Sequence, residues 1–451
     1  MRRMMAVAVA VAVLAMVAAA CSSGGGDTSS ASAVNTASHD PVTLTITGEW
    51  AGEECAKWKE IFPAFTEVYP WATVEPICNV NDDKMIKQIN AGNAPDVAQS
   101  FGVDNVGLFC NSSAWQDLGP YIEGGDGLDM SQFPASALTY TSYNDQQCSL
   151  PFMTDTYGLY YNTDMFEAQS LTDPPKTTDE LTAYAKQLTQ FNADGSIKVA
   201  GFVPDTRYYC CASNTLNMGF MFGANWLDDS GQAAFASDPG WASMLQWQHD
   251  FIAEVYGDGD FQTGADKLTE FIAGAGNEWN AQQDLGTGRV AMTIDGEWRN
   301  AFVPDSLNYD TAPLPMAPGF EDRYGAGTAG GTVLALPKGS PHPAEAWLLL
   351  KWLATDTATL VDVANRINNV PTTNASINSP DLQLPPQFTT FMDVFQNPNS
   401  HYRPTTAIGG ELGTYLDAFV QKWQSGTATD LQTGLQDAQD QTNDALAQAQ
   451  I

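Results

Sequence analysis

Six of the seven cysteines lie in the body of the chain, where their thiols could form disulfides or bind a metal. They are Cys55, Cys78, Cys110, Cys148, Cys210 and Cys211. Sequence order favours pairing the first with the second and the third with the fourth, because each pair closes a modest loop. The adjacent last two would then form a vicinal disulfide. No Cys-x-x-Cys spacing or nearby histidine supports the alternative of a metal site, so we expect disulfides, no metal and no cofactor.

The seventh cysteine, Cys21, ends an apolar N-terminal segment. Residues 6–20 follow two arginines and contain only Ala, Val, Leu and Met. This run is shorter than the ~20 residues of a membrane-spanning helix and has the length of a signal-peptide core. The small residues before Cys21 resemble a bacterial lipobox. We therefore expect residues 1–20 to be a signal peptide and Cys21 to carry lipid that anchors the chain on the outer face of the cell membrane. An ordinary secretory signal with a chance cysteine is the alternative.

The stretch after Cys21 has the composition of a tether. Residues 22–38 are mostly Ser, Gly, Thr and Ala with almost no bulky side chains. Such a segment cannot form a core, so we expect it to be flexible. We assign residues 21–40 to the lipidated cysteine and this tether. Outside the cytoplasm, the cysteines that follow should be oxidised.

Length and charge limit the kinds of protein and ligand. Removing the first 20 of the 451 residues leaves 431, too long for one compact core, which suggests two lobes. The net charge of −34 becomes −36 once the two N-terminal arginines are lost. Such acidity argues against nucleic acid or anionic lipid as a ligand, since their phosphates require Lys and Arg. The 12 Trp, 15 Tyr and 21 Phe suggest an aromatic and polar functional surface, although we expect most rings in the core.

Paired carboxylates are the main catalytic possibility in so acidic a chain. A glycoside hydrolase would need two carboxyl groups ~5–10 Å apart, and with 53 acidic residues such a pair cannot be dismissed by counting. No nucleophile elbow, HExxH or other recognisable catalytic motif occurs, however. We therefore expect a protein that is not an enzyme, with a secreted glycoside-acting enzyme as an alternative.

Strand-like and helix-like segments alternate along the chain. The first part reads as strand 42–47, helix 55–69 with a kink at its proline, strand 74–80, helix 83–91 and strand 94–98. This order predicts parallel strands with right-handed crossovers. Further strands are predicted at 156–162, 199–203, 288–294 and 330–336, a hairpin turn at 226–233, and helices at 178–190, 241–255, 266–275, 343–354, 410–423 and 430–449.

The order of four local patterns resembles a known family. The patterns are Met85 to Val97, Pro151 to Asn162, Gly288 to Met292 with Gly296-Glu297-Trp298, and Gly330-Gly331 with Ala344 to Leu353. Each pattern alone is weak, but together their order and spacing resemble the extracellular solute-binding proteins of ATP-driven sugar importers, the maltose-binding-protein-like group. The resemblance covers about residues 41–447.

This resemblance implies an α/β fold with two lobes, of the periplasmic-binding-protein type II kind. Each lobe should hold a mainly parallel sheet flanked by helices, and hinge strands should join the lobes. We place residues 41–153 and 313–357 in lobe 1, and residues 154–312 and 358–451 in lobe 2. Ligand should bind in the cleft, and the lobes should close on it about the hinge.

Ligand-contacting side chains are expected in loops at the carboxyl ends of the strands, where binding groups of α/β sheets converge. A sugar needs aromatic rings for stacking and polar groups for its hydroxyls. Trp298 is the first candidate, because the family places a sugar-stacking ring there. The other candidates are Glu49, Trp50, Phe101, Asp104, Asp155, Thr156, Tyr208, Cys210, Cys211, Asn225, Trp279, Glu297, Gly330, Gly331 and Arg366. For each of them a purely structural role is the alternative.

The function implied by the resemblance is capture without chemistry. The chain should bind a sugar, with an oligosaccharide expected, between its lobes and deliver it to the permease subunits of an ABC importer. We expect a monomer that works outside the cytoplasm and reaches the membrane only through its lipid. A cationic or peptide ligand is the rival within the same fold, because the strong negative charge would suit a cation.

Overall fold

The computed structural model describes residues 31–36, 39–209 and 214–449. The predicted signal peptide, the lipidated Cys21 and the vicinal pair Cys210 and Cys211 therefore lie outside the described residues. In the described part of the chain, no helix is long and apolar enough to cross a membrane.

The strands form a ten-stranded mixed sheet and a separate two-stranded one. In chain order they are β1 (Val42–Thr47), β2 (Ala72–Ile77), β3 (Val97–Ser100), β4 (Ser142–Tyr143), β5 (Gln146–Gln147), β6 (Leu150–Asn162), β7 (Gln190–Phe191), β8 (Ile197–Phe202), β9 (Val290–Gly296), β10 (Tyr309–Ala312), β11 (Ala329–Ala335) and β12 (Val370–Pro371). The large sheet has the order β2-β1-β3-β11-β6-β9-β8-β7, and β10 and β12 pair with β6.

The strand β6 joins the two halves of this sheet. Its first part, 150–156, pairs with β11 and β12, whereas 157–162 pairs with β9 and β10. Strand β1 runs parallel to β2 and β3, and β8 runs parallel to β9. The strands on either side of β6 are antiparallel to it, because the chain returns across the boundary between the halves. The two-lobed α/β architecture is confirmed, with a mixed rather than a mainly parallel sheet.

Helices cover both parts of the sheet. They are α1 (Gly52–Lys59), α2 (Phe62–Val68), α3 (Asp82–Asn90), α4 (Val106–Asn111), α5 (Gly119–Ile122), α6 (Ala135–Leu138), α7 (Thr163–Ala168), α8 (Thr178–Leu188), α9 (Thr215–Met221), α10 (Pro239–Tyr256), α11 (Phe261–Ala273), α12 (Pro343–Thr355), α13 (Thr357–Ile367), α14 (Asn374–Ile377), α15 (Phe388–Gln396), α16 (Glu411–Gln424) and α17 (Leu431–Ala449).

Local sequence signals explain several helix boundaries. The predicted first helix is split into α1 and α2, with Pro63 in the first turn of α2, where a missing backbone N–H costs nothing. Helix α8 begins with a capping box, in which Thr177 accepts from the backbone of Glu180 and the Glu180 side chain accepts from Thr177. The predicted turn at 226–233 is present as a bridge between Leu227 and Ala233.

Two disulfides are formed as the sequence order predicted. Cys55 in α1 bonds to Cys78, and Cys110 in α4 bonds to Cys148. The first ties α1 to the end of β2, and the second ties α4 to the segment before β6. Both bridges lie close to the loops that follow the strands of the first half of the sheet, so they restrict the movement of those loops.

Removing the first disulfide should destabilise the fold. The Cys55→Ser/Cys78→Ser variant opens a loop with a sequence separation of 23, which should lower the free energy of unfolding by about 3–4 kcal/mol. Urea denaturation of the variant and the parent chain measures the difference. Equal unfolding midpoints would show that this bridge adds nothing to stability.

Candidate functional site

An aromatic pair lies at the point where β6 changes partners. Tyr157 of β6 pairs in register with Gly296 at the end of β9. Trp298 follows in a 3-10 turn, Glu297–Phe302, and its ring folds back over Gly296, where a Cβ atom would lie 2.2 Å from the indole. The Tyr157 and Trp298 rings meet edge to face with centroids 5.4 Å apart. The buried Trp298 Nε1–H has no hydrogen-bond partner among the described residues.

A pair of carboxyl groups lies beside these rings. Glu297 is fully buried, and its Oε2 accepts from the Thr156 N–H at 2.9 Å. Asp155, on the same strand as Thr156, accepts from Asn369 Nδ2 at 3.3 Å. Asp155 lies on β6, and Glu297 begins the 3-10 turn that follows β9, the strand paired with β6.

Burial raises the free energy of the ionised forms of these two carboxyl groups. Desolvation raises the pKa of Glu297 well above its ordinary value, and the nearby charge of Asp155 raises it further. Desolvation also raises the pKa of Asp155, although the hydrogen bonds from Asn369 and Glu297 oppose that rise. Burial and the neighbouring charge of Asp155 therefore both favour the protonated form of Glu297.

The adjacent glycines of β11 allow close packing at this site. A Cβ atom at Gly330 would lie 2.9 Å from the Tyr402 ring. Gly331 has a φ of +137° and would place a Cβ atom 2.3 Å from the Met153 carbonyl oxygen. Their lack of side chains brings Tyr402 against β11 and β11 against β6. The predicted role of their N–H groups as ligand donors stays a prediction.

The predicted site residue Asp104 is engaged by two neighbours from the C-terminal part of the chain. Its Oδ1 accepts from Arg403 Nε at 2.5 Å, and its Oδ2 accepts from the Tyr402 hydroxyl at 3.2 Å. The Arg403 guanidinium also lies 5.2 Å from the centre of the Trp226 ring. Burial alone would lower the pKa of Arg403, but the charge of Asp104 raises it above its ordinary value. Arg403 therefore stays charged and compensates Asp104.

A second set of candidates follows β1 and β3. The Glu49 carboxylate accepts from the Phe101 N–H at 2.7 Å, and the Glu49 N–H donates to Gln99 Oε1 at 2.8 Å. Burial raises the pKa of Glu49 to about 7, opposed by the Phe101 hydrogen bond. The Trp50 ring is buried and lies 5.8 Å from the Phe101 ring, which is 43% exposed. Phe101 is therefore the accessible ring of this group.

A third set lies beside the turn that carries Trp298. Tyr208 and Tyr209 stack at 4.3 Å, and both hydroxyl groups bond to Asp284, one to its carboxylate and one to its N–H. The Arg299 guanidinium lies 5.6 Å from the Tyr209 ring and 5.8 Å from the Trp279 ring. Trp279 is 47% exposed. The chain after Tyr209 enters Cys210 and Cys211, which lie outside the described residues.

Two further candidates make contacts within and between helices. The Asn225 side chain donates to Asp238 at 2.8 Å, at the start of α10. Arg366 forms ion pairs with Asp362 at 2.8 Å and with Glu60 at 2.5 Å. The first contact holds the entry to α10, and the second ties α13 to the end of α1. A role in ligand binding stays a prediction for both residues.

The structure adds residues that sequence reasoning did not select. Arg403, Tyr402 and Asn369 all contact predicted site residues from segments far along the chain. Asn369 directly follows Asn368, whose left-handed φ of 53° ends α13. This backbone geometry, rather than a sequence pattern, places Asn369 beside Asp155. No residue pattern near Arg403 distinguished it from other arginines.

The arrangement offers rings, hydrogen-bonding groups and few free charges. It suits a guest with flat apolar faces and hydroxyl groups. Within 31–36, 39–209 and 214–449, no group of three or more His, Cys, Asp or Glu side chains could hold a metal ion.

Comparison with protein families gives one match over most of the chain. The model described as bacterial extracellular solute-binding protein matches residues 73–390. Among curated relatives, a maltotriose-binding protein of Pyrococcus abyssi is 23% identical over 313 residues, covering 68% of this chain and 61% of the relative. The maltodextrin-binding protein MdxE of Bacillus subtilis is 25% identical over 296 residues, covering 65% and 64%. The chain thus spans less than two thirds of the length of these relatives.

Solved structures match over a larger share of the chain. CpMnBP1 with mannotriose bound is 26% identical, with a TM-score of 0.74, and the match covers 89% of this chain and 100% of that one. The sugar-binding protein MalE from Xanthomonas citri has a TM-score of 0.73 at 17% identity, with 91% and 98% covered, and supports the fold alone.

The raised pKa of Glu297 should make stability fall with rising pH. The folded state keeps a proton that the unfolded state loses above about pH 4.5, so this contribution is complete below that pH and is lost as the pH rises. The Glu297→Gln variant cannot lose the proton. Its free energy of unfolding should therefore decline less between pH 5 and pH 7, by up to about 1.4 kcal/mol per pH unit.

Urea denaturation at pH 5, 6 and 7 measures this slope. Glu67→Gln is the matched control, because Glu67 is exposed on α2. The control should keep the slope of the parent chain. A Glu297→Gln variant with that same slope would show that Glu297 is ionised in the folded state.

Proposed function

Because the chain belongs to the bacterial extracellular solute-binding protein family, we propose that it captures an oligosaccharide between its two lobes for an ABC importer. The observation that carries this proposal is the Tyr157–Trp298 ring pair, with its centroid distance of 5.4 Å, beside the buried carboxyl groups of Asp155 and Glu297. Relatives and solved structures named for maltotriose, maltodextrin and mannotriose support a sugar as the ligand.

The charges at the site favour an uncharged guest over a cation. The chain has a net charge of −34, but burial or an ion pair reduces the effect of two carboxyl groups among the candidate site residues, Glu297 and Asp104. Burial and the nearby charge of Asp155 raise the pKa of Glu297, which favours its neutral form, and Arg403 forms an ion pair with Asp104. A cation would require ionised carboxylates at the site, whereas hydroxyl groups can bond to neutral ones. The rival cationic or peptide ligand is therefore less well supported by the local geometry.

The capture step is a closure of the two lobes. On the predicted boundaries, Asp104 belongs to lobe 1, whereas Arg403 and Trp226 belong to lobe 2. Their contacts then form only when the lobes approach each other. Ligand bound to one lobe would gain the contacts of the other on closure, which shifts the population toward the closed form. The closed form presents its cargo to the permease subunits.

The family is extracellular, so the protein works outside the cytoplasm. We further propose that Cys21 carries the lipid anchor after removal of residues 1–20, and that the chain acts as a monomer beside its permease. The apolar run before Cys21 supports the anchor. Mass spectrometry of the membrane-bound chain would detect the acylated cysteine directly.

A ligand panel tests the proposed function. We expect linear oligosaccharides to raise the melting temperature, because a ligand that binds only the folded state stabilises it by mass action. Polyamines and short peptides form the other arms of a thermal-shift screen. Stabilisation by a polyamine or peptide alone would replace the sugar proposal, and turnover of a saccharide would favour the enzyme alternative.

The indole of Trp298 should dominate the affinity. With the best saccharide of the panel, Trp298→Ala should weaken binding by about 2–4 kcal/mol, since central aromatic rings carry much of the binding energy. Titration calorimetry measures the change. Trp247→Ala is the matched control: its ring packs against Phe222 and Phe251 away from the hinge, so it should reduce stability and leave affinity intact. Equal affinities for Trp298→Ala and the parent would remove Trp298 from the site.

A further inference from the structure

The segment expected to be a flexible tether makes specific contacts with the folded body. The Ala31 N–H donates to the Pro120 carbonyl at 2.8 Å, and the Gly125 N–H donates to the Ala31 carbonyl at 3.0 Å. Further along, the Val34 N–H donates to Asp126 Oδ2 at 2.7 Å. These bonds pair the N-terminal segment with the loop that follows α5. Hydrogen bonds of this kind fix both position and direction of a segment.

The receiving loop is shaped to admit that segment. A Cβ atom at Gly125 would lie 2.6 Å from the Ala33 Cβ atom, and one at Gly124 would lie 2.5 Å from the Ala31 carbonyl oxygen. Neither glycine has a φ in the left-handed region, so their backbones would accept other residues. The close approach of residues 31–33 is therefore a reason for glycine at these two positions.

A second attachment point lies at His39. Its ring stacks on the Trp71 ring at 4.1 Å with an interplanar angle of 24°. Its Nε2 lies 2.9 Å from Glu345 Oε1, and the His39 side chain is 19% exposed. Stacking combined with a hydrogen bond to a carboxylate holds this end of the segment to the body.

Residues of helix α12 form hydrogen bonds at both attachment points. Glu345 lies in its first turn. Further along the helix, Trp347 Nε1 and Lys351 Nζ donate to the Asp126 carbonyl at 3.1 and 2.9 Å. Helix α12 is largely buried. The segment is thus attached to a rigid part of predicted lobe 1.

We propose that residues 31–36 and His39 form a strap that turns one face of lobe 1, the face at the Gly124–Gly125 loop, toward the membrane. The inference rests on the proposed lipid at Cys21 but not on the identity of the cargo. It identifies the partner of this face as the lipid surface to which the chain is anchored.

The length of free chain between Cys21 and the folded body determines whether docking of the strap restricts the orientation of that body. Nine residues lie between Cys21 and Ala31, and the ten Cα–Cα steps of this stretch reach at most about 35 Å when extended. With the strap undocked, the free chain would run to Val42 and reach about 70 Å. A folded chain of this size is about 55 Å across. The docked strap therefore keeps one face near the bilayer, whereas an undocked one would let the body turn freely.

Amide hydrogen exchange on the full chain in detergent micelles tests the docking. Exchange at the Val34 amide should be at least tenfold faster in Gly125→Ala than in the parent, because the added Cβ displaces Ala33. Gly119→Ala is the matched control, since its Cβ atom meets only Asp117, at 3.3 Å or more. In Val34→Pro, which removes a backbone donor of the strap and changes no residue of the body, the Gly125 amide should exchange at least tenfold faster. Unprotected Val34 in the parent, or unchanged exchange in both variants, overturns the strap.

Amine labelling of the chain on phosphatidylcholine vesicles tests the orientation. Lys338 is exposed and lines the same surface hollow as Ala31, whereas Lys198 is exposed on β8. Moving the parent chain from micelles to vesicles should slow labelling at Lys338 several-fold more than at Lys198, and Val34→Pro should remove that difference. Equal slowing at both lysines in the parent overturns the orientation. A chain that stays in solution contradicts the lipid anchor instead.

Discussion

The structure depends on one strand that belongs to two half-sheets. Strand β6 runs for 13 residues, and its pairing changes from β11 to β9 between Thr156 and Tyr157. Alternate side chains of a strand share a face, so Asp155 and Tyr157 point the same way on either side of that boundary. The strand order therefore places a carboxyl group and a ring at the junction of the lobes. Strand β6 connects the two halves of the sheet, so a hinge movement between them changes the surroundings of Asp155 and Tyr157.

The candidate site keeps polar atoms that the fold itself does not satisfy. Trp298 Nε1 and Gln99 Nε2 are buried without hydrogen-bond partners among the described residues. Each such atom costs about 1–3 kcal/mol of stability. On the proposed function, a ligand hydroxyl group that accepts from either donor would offset this cost, whereas an apolar ligand would leave it in place.

Local signals in the sequence predicted the local features of the structure. The split at Pro63, the capping box at Thr177 and the two disulfides depend on residues close in the chain or on a small set of pairings. Trp298 was selected because it lies just after a strand and because the resembled family places a sugar-stacking ring there. Arg403 could not be selected, since its partner Asp104 lies 299 residues away and only the folded chain brings them together. The mixed character of the sheet was missed for the same reason: strand direction at the hinge depends on where distant segments return.

The N-terminal segment shows a different limit of reasoning from composition. Residues 31–36 are small or polar, and such a sequence cannot form a core of its own. It can still dock on a surface that is already built, because the hydrogen bonds come from its backbone and the fit comes from small side chains. A bulky residue at Ala33 would meet Gly125, so the composition that suggested a free tether is also the composition that the docked position requires. Low hydrophobicity therefore excludes independent folding of residues 31–36. It does not exclude a fixed position of this segment on the surface of lobe 1.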